Sequence, residues 1–85
     1  LPEITIDALV PGWGTEGLLF TGTLKLLMRH LRNSISHGHL SVSPELMFEF
    51  HNRELVVVFN HINLHHFCQA LAYWCLTKDI ALTKL

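Results

Sequence analysis

Residues 18–38 read LLFTGTLKLLMRHLRNSISHG. Phe20, Leu24, Leu27, Met28, Leu31 and Ile35 recur at steps of three and four, the period of a helix with one core-facing stripe. The spacing predicts a helix over 18–37, with Thr15 or Thr21 as N-cap. Gly38 is placed to end it, because glycine accepts the left-handed conformation just past a C-cap. With residues set at helical intervals, the core stripe centres near Leu24, Leu31 and Ile35. Two polar faces remain: Lys25, Arg29, Arg32 and Ser36 line one, and His30, Asn33 and His37 line the other, beside Leu26. A solvated helix ordinarily mixes acids among such bases in i, i+4 pairs. Here no acidic residue falls between Glu16 and Glu45, which leaves a local basic patch on a chain of net charge −1.

Working outward, Leu1 to Gly17 carries two prolines and three glycines, so it reads as a loop-rich segment with a short extended piece at EITIDAL. Beyond Gly38, Pro44 makes continued helix improbable. LMFEF and ELVVVF, separated by HNR, predict a hairpin over 46–59 turning near Asn52 and Arg53. Helical spacing then returns over 63–78, with Asn63 as N-cap and Leu64, Phe67, Cys68, Leu71 and Cys75 on one stripe. Cys68 and Cys75 would lie roughly 10 Å apart by helical rise, too far for a disulfide. They read as small core hydrophobes of a reduced, cytoplasmic protein.

Eighty-five residues make a single domain, 1–85. A domain so small buries only about 60% of its unfolded surface, so help from a partner subunit is expected. No apolar run approaches the ~20 residues of a membrane span, and the N-terminal stretch lacks the basic and apolar regions of a signal peptide. Since Leu1 is not a methionine, an upstream part of the natural protein is expected. The near-neutral charge argues against a non-specific nucleic-acid binder. Arg32, Asn33 and His37 nevertheless bring a permanent cation, an amide and an imidazole within six residues, parts suited to phosphate chemistry.

At RNSISH, residues 32–37, the sequence resembles the HEPN superfamily, whose signature is an arginine followed four to six residues later by a histidine, often with asparagine directly after the arginine. The GHLSV that follows is also similar, and the resemblance spans roughly residues 18–78. It implies a mainly α fold, a HEPN-like helical bundle with a β-hairpin between the motif helix and the C-terminal helix. The one or two earlier long helices of such domains do not fit in residues 1–17, so the bundle is expected to be incomplete at its N-terminus. The resemblance further implies a homodimer whose motif residues meet across one cleft, acting without a metal or cofactor as an endoribonuclease of toxin or phage-defence type. Arg32 would bind the scissile phosphate, His37 would serve as acid or base, and Asn33 would orient either. Lys25, Arg29, His30, Ser36 and His39 are the candidate substrate-binding residues around them. An antitoxin or regulatory partner also belongs to this expectation.

Two rival readings come from the residues. His37 with His39, and His61 with His65 and His66, form two imidazole clusters of the kind that hold zinc. With Asn63 as N-cap, however, His61 would fall outside the helix, and no acid or cysteine is placed to finish a shell. The other rival is a non-catalytic module that dimerises, binds a nucleotide or docks a partner. Trp13, Tyr73 and Trp74 read as core or interface aromatics, with base stacking open to Trp13 in its glycine-rich loop.

Overall fold

A computed structural model describes residues 4–10 and 22–78. The expectations for Trp13, for Thr15 and Thr21 as caps, for Leu18 to Phe20 and for most of the N-terminal loop lie outside the described residues. A single helical turn, α1 (Ile6–Leu9), is followed by α2 (Leu24–Ser36), the strands β1 (Leu40–Val42), β2 (Met47–Asn52) and β3 (Leu55–Asn60), and a long final helix, α3 (His61–Lys78).

The helix caps come from short polar side chains. Thr5 Oγ1 accepts the Ala8 N–H at 3.2 Å and Thr23 Oγ1 accepts the Leu26 N–H at 3.3 Å. Thr23 therefore caps α2, whose first residue, Leu24, comes six residues after the predicted bound of 18. Backbone bonds from Ile6 N–H to the Gly22 carbonyl (3.1 Å) and from Leu24 N–H to the Ile4 carbonyl (2.8 Å) tie α1 to that start. The segment expected as loop and extended chain thus delivers Ile6 and Leu9 to the core. At the other end Asn60 Oδ1 accepts the Asn63 N–H at 2.7 Å, so Asn60 caps α3 in place of the predicted Asn63, which is itself buried.

The predicted hairpin is present with an added strand. The sheet is antiparallel in the order β1-β2-β3, with Leu40 opposite Phe50 and Phe50 opposite Val57. The mainly helical architecture expected from the sequence thus carries a full sheet layer. β1 escaped notice because three residues show no readable alternation. Ser43 organises the first turn: its carbonyl accepts from Leu46 N–H at 2.9 Å and its hydroxyl from Met47 N–H at 3.2 Å. The second turn is the pair Arg53-Glu54, one residue beyond the predicted position. Leu46 (φ 60°) and Arg53 (φ 57°) both occupy the left-handed region, which costs a side-chain-bearing residue roughly 1–2 kcal/mol.

Alternation puts Phe48, Phe50, Val57 and Phe59 on the sheet face that the helices cover. Phe59 is fully buried, edge-on to Phe50 at 5.8 Å and tilted against Phe67 of α3 at 5.6 Å between ring centroids. Leu24, Leu27 and Leu31 of α2 and Phe67, Leu71, Trp74 and Cys75 of α3 complete the core. The buried arc of α2 is rotated from the predicted stripe: His30 and Ser34 lie inside it, while Ile35 is 58% exposed. The rotation follows from hydrogen bonding, because both polar side chains find partners inside the fold. His30 Nε2 meets the Phe50 carbonyl at 2.6 Å, and since a carbonyl only accepts, that nitrogen carries the hydrogen. On α3, Cys68 is exposed, against expectation, and Tyr73, read as a core or interface aromatic, lies outside the core; the apolar composition of this helix extends around its circumference and conceals which side is buried.

Two stability outcomes follow from these contacts. His30→Ala removes a buried ring and its hydrogen bond and should cost about 2–4 kcal/mol in chemical denaturation, whereas Arg29→Ala, exposed beside it, should stay within about 0.5 kcal/mol of wild type. Asn60→Ala should cost about 1 kcal/mol through loss of the α3 cap, and Asn60→Asp, which keeps the acceptor, should cost much less; thermal melts of the three proteins compare them directly.

Candidate active site

The RNSISH segment closes α2, and its last residue stands at the cap. His37 takes the cap position (φ −94°, ψ 4°), with its N–H on the Asn33 carbonyl at 3.1 Å. Gly38 follows at φ 70°; its N–H reaches the Ile35 carbonyl at 3.0 Å and the His39 N–H reaches the Ser34 carbonyl at 2.7 Å. This pair of bonds is the Schellman arrangement, which satisfies carbonyls the helix would otherwise leave open. A Cβ at position 38 would meet nothing within 4 Å, so the need for glycine there is one of backbone conformation.

Ser34 then fixes where the chain goes next. Fully buried, it donates its hydroxyl to the His39 carbonyl at 3.2 Å, the same carbonyl that accepts the His51 N–H of β2 at 3.1 Å. His39 is thereby held through both its N–H and its carbonyl. Its ring lies 6.0 Å from that of His37, and both imidazoles are exposed. The helix end thus presents two solvent-facing imidazoles on a backbone pinned by its own hydrogen bonds. Sequence reasoning passed over Ser34; its signal was a small polar residue between two motif positions, at a step of three from Leu31 on the buried side.

Of the other site candidates, Lys25, Arg29 and Arg32 are exposed on α2 and Asn33 is half-buried. Ser36 is exposed too, but its hydroxyl donates to the Arg32 carbonyl at 2.8 Å, reinforcing the last turn. His30 parts from the group: at 5% exposure and facing the Phe50 carbonyl, it is a packing residue between helix and sheet rather than a surface that substrate reaches. Arg32, in the last turns of α2, and the exposed imidazoles of the cap therefore share one end of the helix, suited to holding an anion and moving a proton, whereas Lys25 stands at the opposite end.

The histidine clusters do not converge. His61 opens α3 instead of preceding it, one turn from His65, and the rings of His65 and His66 stand 6.5 Å apart, all exposed. Among the described residues no three histidine, cysteine, aspartate or glutamate side chains come together as a metal-holding group. Among the described residues, too, no helix is long and apolar enough to cross a membrane.

Comparison with curated proteins and with solved structures gives no match. A protein-family model described as HEPN pEK499 p136 matches residues 12–82, a span that contains α2, its RNSISH cap, the whole sheet and α3. The chain therefore belongs to this family of the HEPN superfamily.

Proposed function

We propose that the protein is a metal-independent endoribonuclease that works as a homodimer in the cytoplasm, in a toxin or phage-defence setting. The observation that carries this reading is His37 at an exposed, rigid helix cap, five residues after Arg32, in a chain of HEPN membership. A symmetric dimer supplies what one subunit lacks, since a single imidazole cannot be acid and base at the same moment.

In the reaction, His37 removes the proton from a ribose 2′-hydroxyl, and that oxygen attacks the adjacent phosphorus. The bond from phosphorus to the 5′-oxygen breaks as the partner subunit's His37 gives the leaving oxygen a proton. The products are a 2′,3′-cyclic phosphate and a 5′-hydroxyl, so atoms and protons balance. Arg32 holds the non-bridging oxygens and stabilises their charge in the transition state. Asn33 orients the phosphate or the imidazole. Lys25 and Arg29 attract the strand from the same helix, and His39 lies beside the reacting ring.

A second reading, a docking module without catalysis, draws support from the outward side of α3, where Ile62, Tyr73 and Leu76 are 54%, 71% and 81% exposed. Cleavage of a mixed RNA in excess EDTA separates the two. Wild type should produce cyclic-phosphate ends, and Arg32→Ala and His37→Ala should each lower the rate by at least about 100-fold while the dimer and its melting temperature are retained. Cleavage that survives His37→Ala would overturn the acid-base assignment. Absence of wild-type cleavage with an intact dimer would favour the docking module.

A further inference from the structure

Where β1 leaves the α2 cap, the surface sinks into an open cleft of about 430 Å³ lined by Gly38, His39, Leu40, Ser41, His51 and Arg53. It begins at the residue after His37, and three of its six lining residues carry a guanidinium or an imidazole. His39 and His51 face each other across the β1–β2 ladder, joined by the 3.1 Å backbone bond. Arg53 projects from the turn two residues beyond His51. Among the described residues no acid lines the cleft; Glu49 touches His51 Nε2 at 3.3 Å from along the strand, and Glu54 is exposed at the turn. A contact between two part-exposed groups is a weak competitor for a strong anion.

The backbone at Arg53 adds a separate observation. It is the first central residue of a two-residue hairpin loop with φ 57°, a place where glycine is the favoured residue. Leu46 shares that left-handed conformation without a charge, whereas at Arg53 it fixes a long cation in the lining of the cleft. The volume suits one nucleotide unit, and the cleft continues directly from the imidazole pair at the cap.

We infer that Arg53, with His39 and His51, binds a backbone phosphate of the RNA strand flanking the phosphate cleaved at His37. The inference rests on the ribonuclease reading and extends it from the cleaved bond to the path of the strand. Arg53 supplies the permanent charge, and the two imidazoles stand on either side of the ladder as hydrogen-bond donors, His51 by exchanging Glu49 for the phosphate at Nε2. The site reads the sugar-phosphate backbone and not the base, so its contribution is independent of sequence and weakened by salt.

The test uses a fluorescent RNA hexamer with 2′-O-methyl groups, which cannot be cleaved because the nucleophile is blocked, and follows its binding to the whole protein by anisotropy across a salt series. Arg53→Gln should weaken binding about fivefold at 0.1 M salt and make the negative slope of log K against log salt shallower by about 0.7, the loss of one phosphate contact on a single strand. Arg53→Gly should weaken it equally while raising Tm, because glycine relieves the turn; Arg53→Lys should retain most of the affinity. Unchanged affinity and slope in Arg53→Gln would overturn the inference, and cleavage of ordinary RNA by wild type would show that the ribonuclease reading survives it. A loss of affinity in Arg53→Gln without wild-type cleavage would support the cleft as a strand site and overturn the cleavage reading alone. Binding of a 5′-mononucleotide as tight as that of the hexamer, and equally dependent on Arg53, would overturn the assignment to a strand.

Discussion

The reversal of the chain between Ser34 and His39 is the constraint on which the other parts depend. Over six residues the backbone ends a helix, enters the left-handed region at Gly38 and joins a sheet. Ser34 controls both sides, with its carbonyl on the His39 N–H and its hydroxyl on the His39 carbonyl. If that turn were looser, β1 would lose its register with β2, and the imidazoles of His37 and His39 would lose their fixed relation. The same short segment that places the chemistry is therefore part of the framework.

A second tie sets how α2 lies on the sheet. The bond from His30 to the Phe50 carbonyl links the helix to the central strand at depth, and Phe59 extends the contact through Phe67 to α3. Because His30 and Ser34 are satisfied inside, the polar side chains that remain outward on α2 are cations and small groups, with Arg32 near the cap. Burial of two polar residues thus clears the surface for a basic face. In a small domain this matters, since few apolar residues are available to fix the rotation of a helix.

The elements with sustained periodicity were legible in the sequence: α2, the hairpin and α3 stand in the expected order, and Gly38 ends the helix as its chemistry requires. RNSISH stood out by residue type and spacing, and it closes α2 where the periodicity ends. What could not be read were properties set by partners distant in sequence. Ile35 has the hydropathy of a core residue, yet the hydrogen bonds of His30 and Ser34 turn the helix so that it faces solvent. Cys68 lies on a helix too uniformly apolar for its pattern to mark an inner side. The capping role of Asn60 was hidden because Asn63, three residues on, has the same chemistry, and Arg53 gave no sign of a strained turn because the local preference there is for glycine.

Gly38 carries a last consequence. With no atom within 4 Å of the place a Cβ would occupy, the position has room for a side chain and refuses one only because of its φ of 70°. The requirement is thus for handedness rather than for smallness. A residue of D configuration, whose steric preferences mirror those of the L series, takes that conformation without backbone strain, so the turn selects a chirality that, among the encoded residues, only achiral glycine supplies freely.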